Sequence, residues 1–427
     1  MDETFDAIVV GAGPAGCAAA YRLAREGLQV LVVERGKFAG SKNVTGGVLY
    51  GPVMGNLIPN FWAEAPVERR ISHHVITLLS EKSSLSIDYN AGDSERHNGF
   101  SILRSKFDRW FARKVEEAGG IVATGLRADD LLWQDGRVAG IVAGGDNIAG
   151  SVVIAADGVN SLLAEKAGLG VKLSPDNVNQ GVKEVIKLPR EIIEERFNLS
   201  GDNGTAIHFL GFCTQGVHGG GFLYTNKETI SLGVVVQLKA LVEHNVNGVE
   251  LLEGFKAHPT VRELVKGGTT VEYSAHLVPA GGLKMVPRLY TDGLLVVGDA
   301  AALVVATGRA LEGINFALES GMAAAETVKR AKGKNDFTKQ TLSVYEQLLA
   351  QSFVLQDLRT FQKSAQFLEN MRLYSVYPEL ACRLAERIFD VDGKPKKKAW
   401  QIIREEMKGK VSIWQMIRDA MSAKGAT

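Results

Sequence analysis

Cysteine is scarce in this 427-residue chain. Cys17, Cys213 and Cys382 stand far apart, and no CxxC pair occurs. A four-thiolate zinc or iron–sulfur centre within the chain is not expected, and no metal site is predicted. An odd, unclustered set of thiols suits a reducing compartment better than a disulfide-braced exported fold. No run of about 18 apolar residues is present, so no helix should span a bilayer. The opening MDETFDAIVV has neither a basic n-region nor an apolar h-region, which argues against a signal peptide. Neither sign of charge dominates: 49 Lys and Arg stand against 48 Asp and Glu. That balance gives no reason to expect nucleic acid. Proline numbers only 11, whereas glycine reaches 47, a composition of tight turns and not of disordered linkers. With 45% hydrophobic residues, the chain can build one large domain or two to three intimate ones around a true core.

The first feature with chemical content is at the start. Residues 5–10 read as a buried strand and lead into Gly11-Ala12-Gly13-Pro14-Ala15-Gly16. A helical stretch runs on to about Gly27, residues 29–33 form a second strand, and Glu34 closes it. This is the dinucleotide βαβ pattern. Gly11 permits the tight turn, Gly13 lets a pyrophosphate approach the backbone, and Gly16 lets the helix pack close to the strand. The helix start offers free N–H groups and a partial positive charge to phosphate. Glu34 lies 18 residues past Gly16, where a carboxylate can accept hydrogen bonds from a ribose hydroxyl. Cys17 reads as a small helix residue behind the glycines.

Further on, a glycine-rich loop covers residues 36–51, and residues 72–89 turn strand-like. Residues 107–118 form an amphipathic helix. Arg104 precedes it and can pair with a diphosphate or ribityl face, with Ser105 as the expected N-cap. Residues 121–142 read as strand, strand, an Asp135-Gly136 turn, and strand. A buried strand at 151–156 ends in Asp157-Gly158. Strands and turns fill 181–278, broken by a short helix at 249–257, which describes an antiparallel substrate domain. Another buried strand, 293–297, ends in Gly298-Asp299, and a helix spans about 313–331. From Phe337 onward the pattern is helical. No internal repeat or low-complexity segment is present.

An acid after the late strand can hold a ribityl hydroxyl, and the helix start at Gly313-Ile314-Asn315 can face a flavin's pyrimidine edge. That edge becomes negative on reduction, so the helix dipole favours the reduced form. Taken alone, this segment is equally an ordinary strand–turn–helix crossover. Joined to the opening motif and to Ala156-Asp157-Gly158, it makes the dinucleotide FAD.

The motifs together resemble a known group. VVGAGPAG (9–16), VVERG (32–36), KNVTGGVLY (42–50), LRSKFDRW (103–110), AADGVNS (155–161), GGGFLYTN (219–226), VEYSAHLVPAGG (271–282) and VVGDAA (296–301) carry the likeness. The chain resembles the FAD enzymes that include para-hydroxybenzoate hydroxylase and geranylgeranyl reductases. It is most similar to the FixC-type flavoproteins, relatives of electron-transfer-flavoprotein:quinone oxidoreductase. The likeness runs from residue 1 to about 390. By motif position, Arg35, Lys42, Thr45, Gly46, Ala128 and Gly308 join the expected cofactor contacts.

The expected fold is α/β: a Rossmann-like FAD-binding domain from residues 1–75, 100–175 and 290–335. An antiparallel-sheet substrate or quinone domain would comprise 76–99 and 176–289, and a helical region 336–427. The resemblance implies electron transfer from an electron-transfer flavoprotein, through FAD, to a quinone or another low-potential acceptor. The longer quinone oxidoreductases carry a four-cysteine cluster domain that these cysteines cannot supply. The resemblance then implies a small ferredoxin-like iron–sulfur partner. No second glycine fingerprint is found; Gly144-Gly145 and Gly267-Gly268 are turn-like pairs. His73-His74, His208, His218 and His276 are isolated and read as structural, so no catalytic acid–base residue is assigned. The alternative is a prenyl-lipid reductase of the geranylgeranyl type. Those reductases tend to carry an aromatic YxWxFP segment where this chain has Phe222-Leu223-Tyr224-Thr225-Asn226. An oxygen-using hydroxylase and an FAD-bearing structural subunit are further readings of the same fold.

A basic run, Lys394-Pro395-Lys396-Lys397-Lys398, precedes Trp400, Ile403, Met407, Val411, Trp414, Ile417 and Met421. These recur every three or four residues as one apolar stripe on a helix, with Gly409 as the candidate break. Such a stripe serves the chain's own core, a partner groove or a membrane interface. The predicted location is cytoplasmic, with peripheral contact on the inner face of the cytoplasmic membrane where the stripe meets lipid.

Overall fold

Residues 7–10, AIVV, are buried on both faces, as a strand inside a parallel sheet must be. They form the strand Ala7–Val10, the helix Pro14–Arg25 follows, and Val30–Glu34 returns parallel to the first strand. The computed structural model describes residues 4–42, 47–92, 99–308 and 310–426. In it the opening strands lie at the centre of a six-stranded sheet. Its order is Tyr290–Thr291, Leu294–Val296, Val153–Ala155, Ala7–Val10, Val30–Glu34, Ile121–Thr124. All neighbours are parallel except the terminal hairpin. Phe5 makes only an isolated bridge to Gly150, so the strand begins two residues later than its apolar run.

The helix Pro14–Arg25 packs on a second long helix, Ile314–Lys334. Small residues set the distance: a Cβ on Gly321 would lie 2.2 Å from the carbonyl oxygen of Ala15. The two backbones therefore touch, and both helices start on the same side of the sheet. The expected Asp135-Gly136 turn is present, both residues at positive φ, within a three-stranded antiparallel sheet over 128–149.

The second large sheet has nine strands. From one edge its path is Thr269–Pro279, Val178–Lys187, Thr229–Gln237, Gly219–Thr225, Asn203–Gly211, Val67–Leu79, Gly99–Ile102 and Gly47–Tyr50, with Ser84–Asn90 paired to Val67–Leu79. The pairing is antiparallel throughout except between Asn203–Gly211 and Val67–Leu79, which run parallel. Strands 47–50 and 99–102 come from chain that flanks the cofactor sheet in sequence, so the two sheets are stitched together by several crossings. One face of this sheet buries Val182, Ile186 and Val234 in a core with Ile193, Leu252 and Phe255 from its covering helices. The other face looks toward the cofactor sheet.

The C-terminal stripe is divided between two helices, Ala399–Met407 and Ile413–Lys424. Gly409 breaks the run at φ +76°, and Ser412 caps the second helix by accepting from the Gln415 N–H. Met407 and Val411 pack on Leu380 of the helix Val376–Phe389. Trp400, Trp414, Ile417 and Met421 remain exposed. One stripe thus has two destinations: Met407 and Val411 join the core, while Trp400 ahead of the break and Trp414, Ile417 and Met421 beyond it stay uncovered. Among the described residues no helix is long and apolar enough to cross a membrane.

Candidate cofactor site

Backbone contact dictates the glycines of the opening loop. Gly11 has φ +106°, and a Cβ there would lie 2.3 Å from the carbonyl oxygen of Ala156. A Cβ on Gly16 would lie 1.9 Å from the Gly11 oxygen, so the helix can approach the strand only without one. Gly13 is the N-cap of Pro14–Arg25, and no side chain caps that end. The first-turn N–H groups stay free for an anion, and Pro14 at the first position gives up an N–H that no helix bond needs. Ala15 lies against Gly298, where a Cβ would be 2.9 Å from the alanine methyl.

Glu34 accepts from the Ala12 N–H at 3.0 Å and the Gly36 N–H at 2.6 Å. It fastens the glycine loop to the end of its strand. A carboxylate has lone pairs to spare for ribose hydroxyls beyond these two bonds. Ala128 opens its strand two residues beyond Leu126, whose N–H donates to the Glu34 carbonyl. Arg35 is exposed at the end of the Glu34 strand, and Lys42 is exposed in the following turn. Thr45 and Gly46 lie outside the described residues.

Arg104, its side chain 11% exposed, grips Asp108 with two parallel bonds, Nε–Oδ1 2.7 Å and Nη2–Oδ2 2.9 Å. Its Nη2 is 3.7 Å from where a Gly13 Cβ would stand, beside the uncapped helix start. Ser105 is not the N-cap. The helix is Arg104–Glu117, its N-cap is Leu103, and Ser105 is the second helical residue. The Arg104–Asp108 pair spans one helical turn and needs Arg104 inside the helix, which moves the start forward.

Asp157 Oδ2 accepts from the Leu163 N–H at 3.1 Å, while Oδ1 is buried with no hydrogen-bond partner. Burial pushes its carboxyl above the usual range, with Arg35 opposing. Asp299 is raised in the same way, by burial first, with His276 and Arg104 opposing. Gly313 stands beside Asp299, a Cβ there falling 3.7 Å from Oδ1, and leads directly into Ile314–Lys334 with no side-chain cap. Asn315 is buried and donates to Glu312. Gly308, φ +81°, sits in the turn joining two short strands just before that helix.

The structure therefore brings two uncapped helix starts, a glycine cradle and an orphaned buried acceptor to one side of the cofactor sheet. These features fit FAD. In that fit the cradle would take the pyrophosphate, Glu34 the adenosine ribose and Asp299 the ribityl chain, and Asp157 Oδ1 would gain the donor it lacks. Three residues escaped the sequence reading. His276 feels both Asp299 and Arg104. Lys183, 2% exposed, pairs with Glu272 at 3.1 Å on the same sheet face. A Lys-Glu pair inside the apolar run 182–186 was the available signal. Of the other histidines, His218 stacks on Tyr374, and His208 meets Tyr224 edge-on.

Comparison with known proteins agrees with this geometry. Residues 6–205 match the family described as FAD dependent oxidoreductase. Residues 179–278 match "ETF-QO, ubiquinone-binding", and 364–426 match the ETF-QO/FixC family C-terminal domain. Protein FixC of Escherichia coli K12 is 48% identical over 95% of this chain and 96% of its own length. The "Probable electron transfer flavoprotein-quinone oxidoreductase YdiS" of the same organism is 43% identical over 95% of both. Among solved structures, a geranylgeranyl bacteriochlorophyll reductase-like protein from Thermoplasma acidophilum superposes with TM-score 0.75 at 21% identity. It covers 99% of this chain and 100% of the other. At that identity it attests the fold.

Two outcomes are expected from the site. Gly11→Ala should purify without flavin, or with affinity lowered roughly tenfold or more, about 1.4 kcal/mol; the ratio of flavin to protein absorbance checks it. Asp299→Asn concerns the FAD-free protein. Because the folded carboxyl titrates above its unfolded counterpart, the native state binds more protons between the two values, and stability falls as pH rises through that window. The variant, which never ionises, should therefore gain thermal stability over the parent at pH 7 and not at pH 3. Equal melting shifts at both pH values would contradict this.

Proposed function

The chain belongs to the ETF-QO/FixC family of FAD-dependent oxidoreductases, and we propose that it takes electrons from an electron-transfer flavoprotein and passes them to a quinone or a small ferredoxin-like iron–sulfur subunit. The observation that carries this reading is the placement of the segment 179–278. The face of its sheet that carries His276 and Lys183 is turned to the cradle, since His276 feels Asp299 and Lys183 feels Arg104.

That face is aromatic. The rings of Phe222 and Tyr224 stack at 5.1 Å, and His208 meets Tyr224 at 6.2 Å. Burial raises the Tyr224 phenol far above its ordinary value, so it stays a neutral hydroxyl. An apolar wall with a few fixed polar groups suits a flat, weakly polar ring such as a quinone. FAD, when bound, supplies a carrier that takes up and releases electrons. The chain's own part is to hold it: Arg104 neutralises phosphate, and the Ile314–Lys334 helix start favours negative charge at its edge. Such transfer needs no proton-abstracting pair in the protein. The prenyl-reductase alternative shares the fold but has no specific observation in its favour. Mixing the protein with reduced electron-transfer flavoprotein in a stopped-flow instrument should bleach its flavin absorbance, and a quinone analogue should restore it. A flavin that never bleaches would sink the proposal.

The exposed half of the C-terminal stripe supports peripheral membrane contact. Trp414 is 80% and Met421 71% exposed, with Phe389 and Trp400 also uncovered and a lysine run at 394–398 nearby. Aromatic and thioether side chains flanked by lysines suit an anionic lipid interface. A Trp414→Glu/Met421→Glu variant should fold normally yet no longer sediment with anionic vesicles. Unchanged sedimentation would leave these helices a purely protein-facing element.

A further inference from the structure

A buried lysine at mid-strand is costly, since a well-packed apolar residue there is as stable or more so. Lys183 is such a residue. It lies in Val178–Lys187, and its side chain is 3% exposed. Its neighbours Val182 and Ile186 point into the helix-covered core, so Lys183 projects from the opposite face, toward the cofactor sheet. The register confirms the side: Lys183 stands across from Ser274, and Gly181 across from His276. His276 is the residue that senses Asp299 and Arg104. Arg104 in turn repels Lys183, adding to the downward pull that burial exerts on the ammonium.

Lys183 feels the charge of Arg104, but Arg104 already holds Asp108 with two bonds, so Lys183 is the cation with the less complete balance. The carboxylate of Glu272 answers Lys183 at 3.1 Å but does so from one side, and its side chain is 34% exposed. Water screens the carboxylate better than the ammonium, so the pair is not electrically neutral as felt from the interior. The pair's own contribution toward the cofactor side is therefore positive.

We propose that the Lys183–Glu272 pair sets the reduction potential of the bound flavin, with Lys183 stabilising the negative charge that the isoalloxazine gains on reduction and Glu272 limiting that effect. Lys183 is a tuning residue and not a proton donor. The pair lies across the strands Val178–Lys187 and Thr269–Pro279, so the sheet's register fixes its distance from the cradle.

The inference rests on FAD occupying the cradle and not on the identity of the electron donor. Dye-equilibrated reductive titration of the flavin-loaded protein needs neither electron-transfer flavoprotein nor quinone. Failure of the proposed function would therefore leave this measurement standing, and the reverse also holds. Lys183→Met keeps the stem and removes the charge. It should shift the oxidised-to-reduced equilibrium at least about tenfold toward oxidised flavin, a fall of about 30 mV for a two-electron couple. Lys183→Met/Glu272→Gln, which removes both charges, should recover only part of that fall, leaving the midpoint above the single variant and below the parent. A purely structural pair would lower melting temperature without these opposed shifts. An unchanged midpoint in flavin-loaded Lys183→Met, or a double variant no higher than the single, overturns the proposal. Should Lys183→Met fail to fold, Glu272→Gln alone decides at pH 6, where the midpoint must rise; an unchanged or lower value there overturns it equally.

Discussion

Everything in this molecule depends on backbone meeting backbone at a few side-chain-free positions. Gly11 meets Ala156, Gly16 meets Gly11, and Gly321 meets Ala15, each closer than any Cβ would allow. These contacts do more than save space. They lock the helix Pro14–Arg25 against both its own strand and the helix Ile314–Lys334, so two helix starts converge on one cradle. Helix N-termini act over about one turn. A slip of a few ångströms would therefore separate the phosphate end of the site from the flavin end. The alanine-rich composition of both helices follows from the same constraint, since larger residues would push the axes apart.

The charges around the cradle are arranged for an occupant. The carboxyls of Asp157 and Asp299 are largely covered and raised, Arg104 is tied to Asp108, and Lys183 to Glu272. Two of these arrangements are incomplete. Asp157 keeps an unpartnered oxygen, and Lys183 has a partner that solvent reaches. A pocket of this kind carries unfavourable electrostatics until its ligand arrives, and ligand binding to the native state alone then returns stability by mass action. The same imbalance that weakens the empty fold is what gives the filled site a defined field.

The opening βαβ unit was legible because its signals are local: a two-faced apolar strand, glycines at fixed offsets, and an acid at the strand's end. The Ser105 cap was misplaced because a competing local signal, the Arg104–Asp108 pair, draws the helix start earlier. Non-local pairing was out of reach. Nothing in residues 67–79 announces a parallel partner at 203–211, and no spacing rule brings Lys183 to Glu272 or His276 to Asp299. The C-terminal stripe was correct in period, but period alone does not say which of its residues the core covers. Side-chain roles that arise from strand register are invisible until the register is known.

Fold and function part company on the nine-stranded sheet. The fold is shared with flavoproteins of little sequence likeness, so by itself it says little about the reaction. Two of the motifs that carry the family likeness, GGGFLYTN and YSAHLVPAGG, lie largely on strands of this sheet. Gly219 and Gly221 hold the strand close to its neighbours, where Cβ atoms would strike Val235 and Phe255. Phe222 and Tyr224 then fall on the open face by simple alternation. The glycines and aromatics of one motif are thus a single device: the first sets the strand's position, and the second uses it. A substitution in the cradle would cost the cofactor, whereas one on this wall would change what the cofactor reacts with.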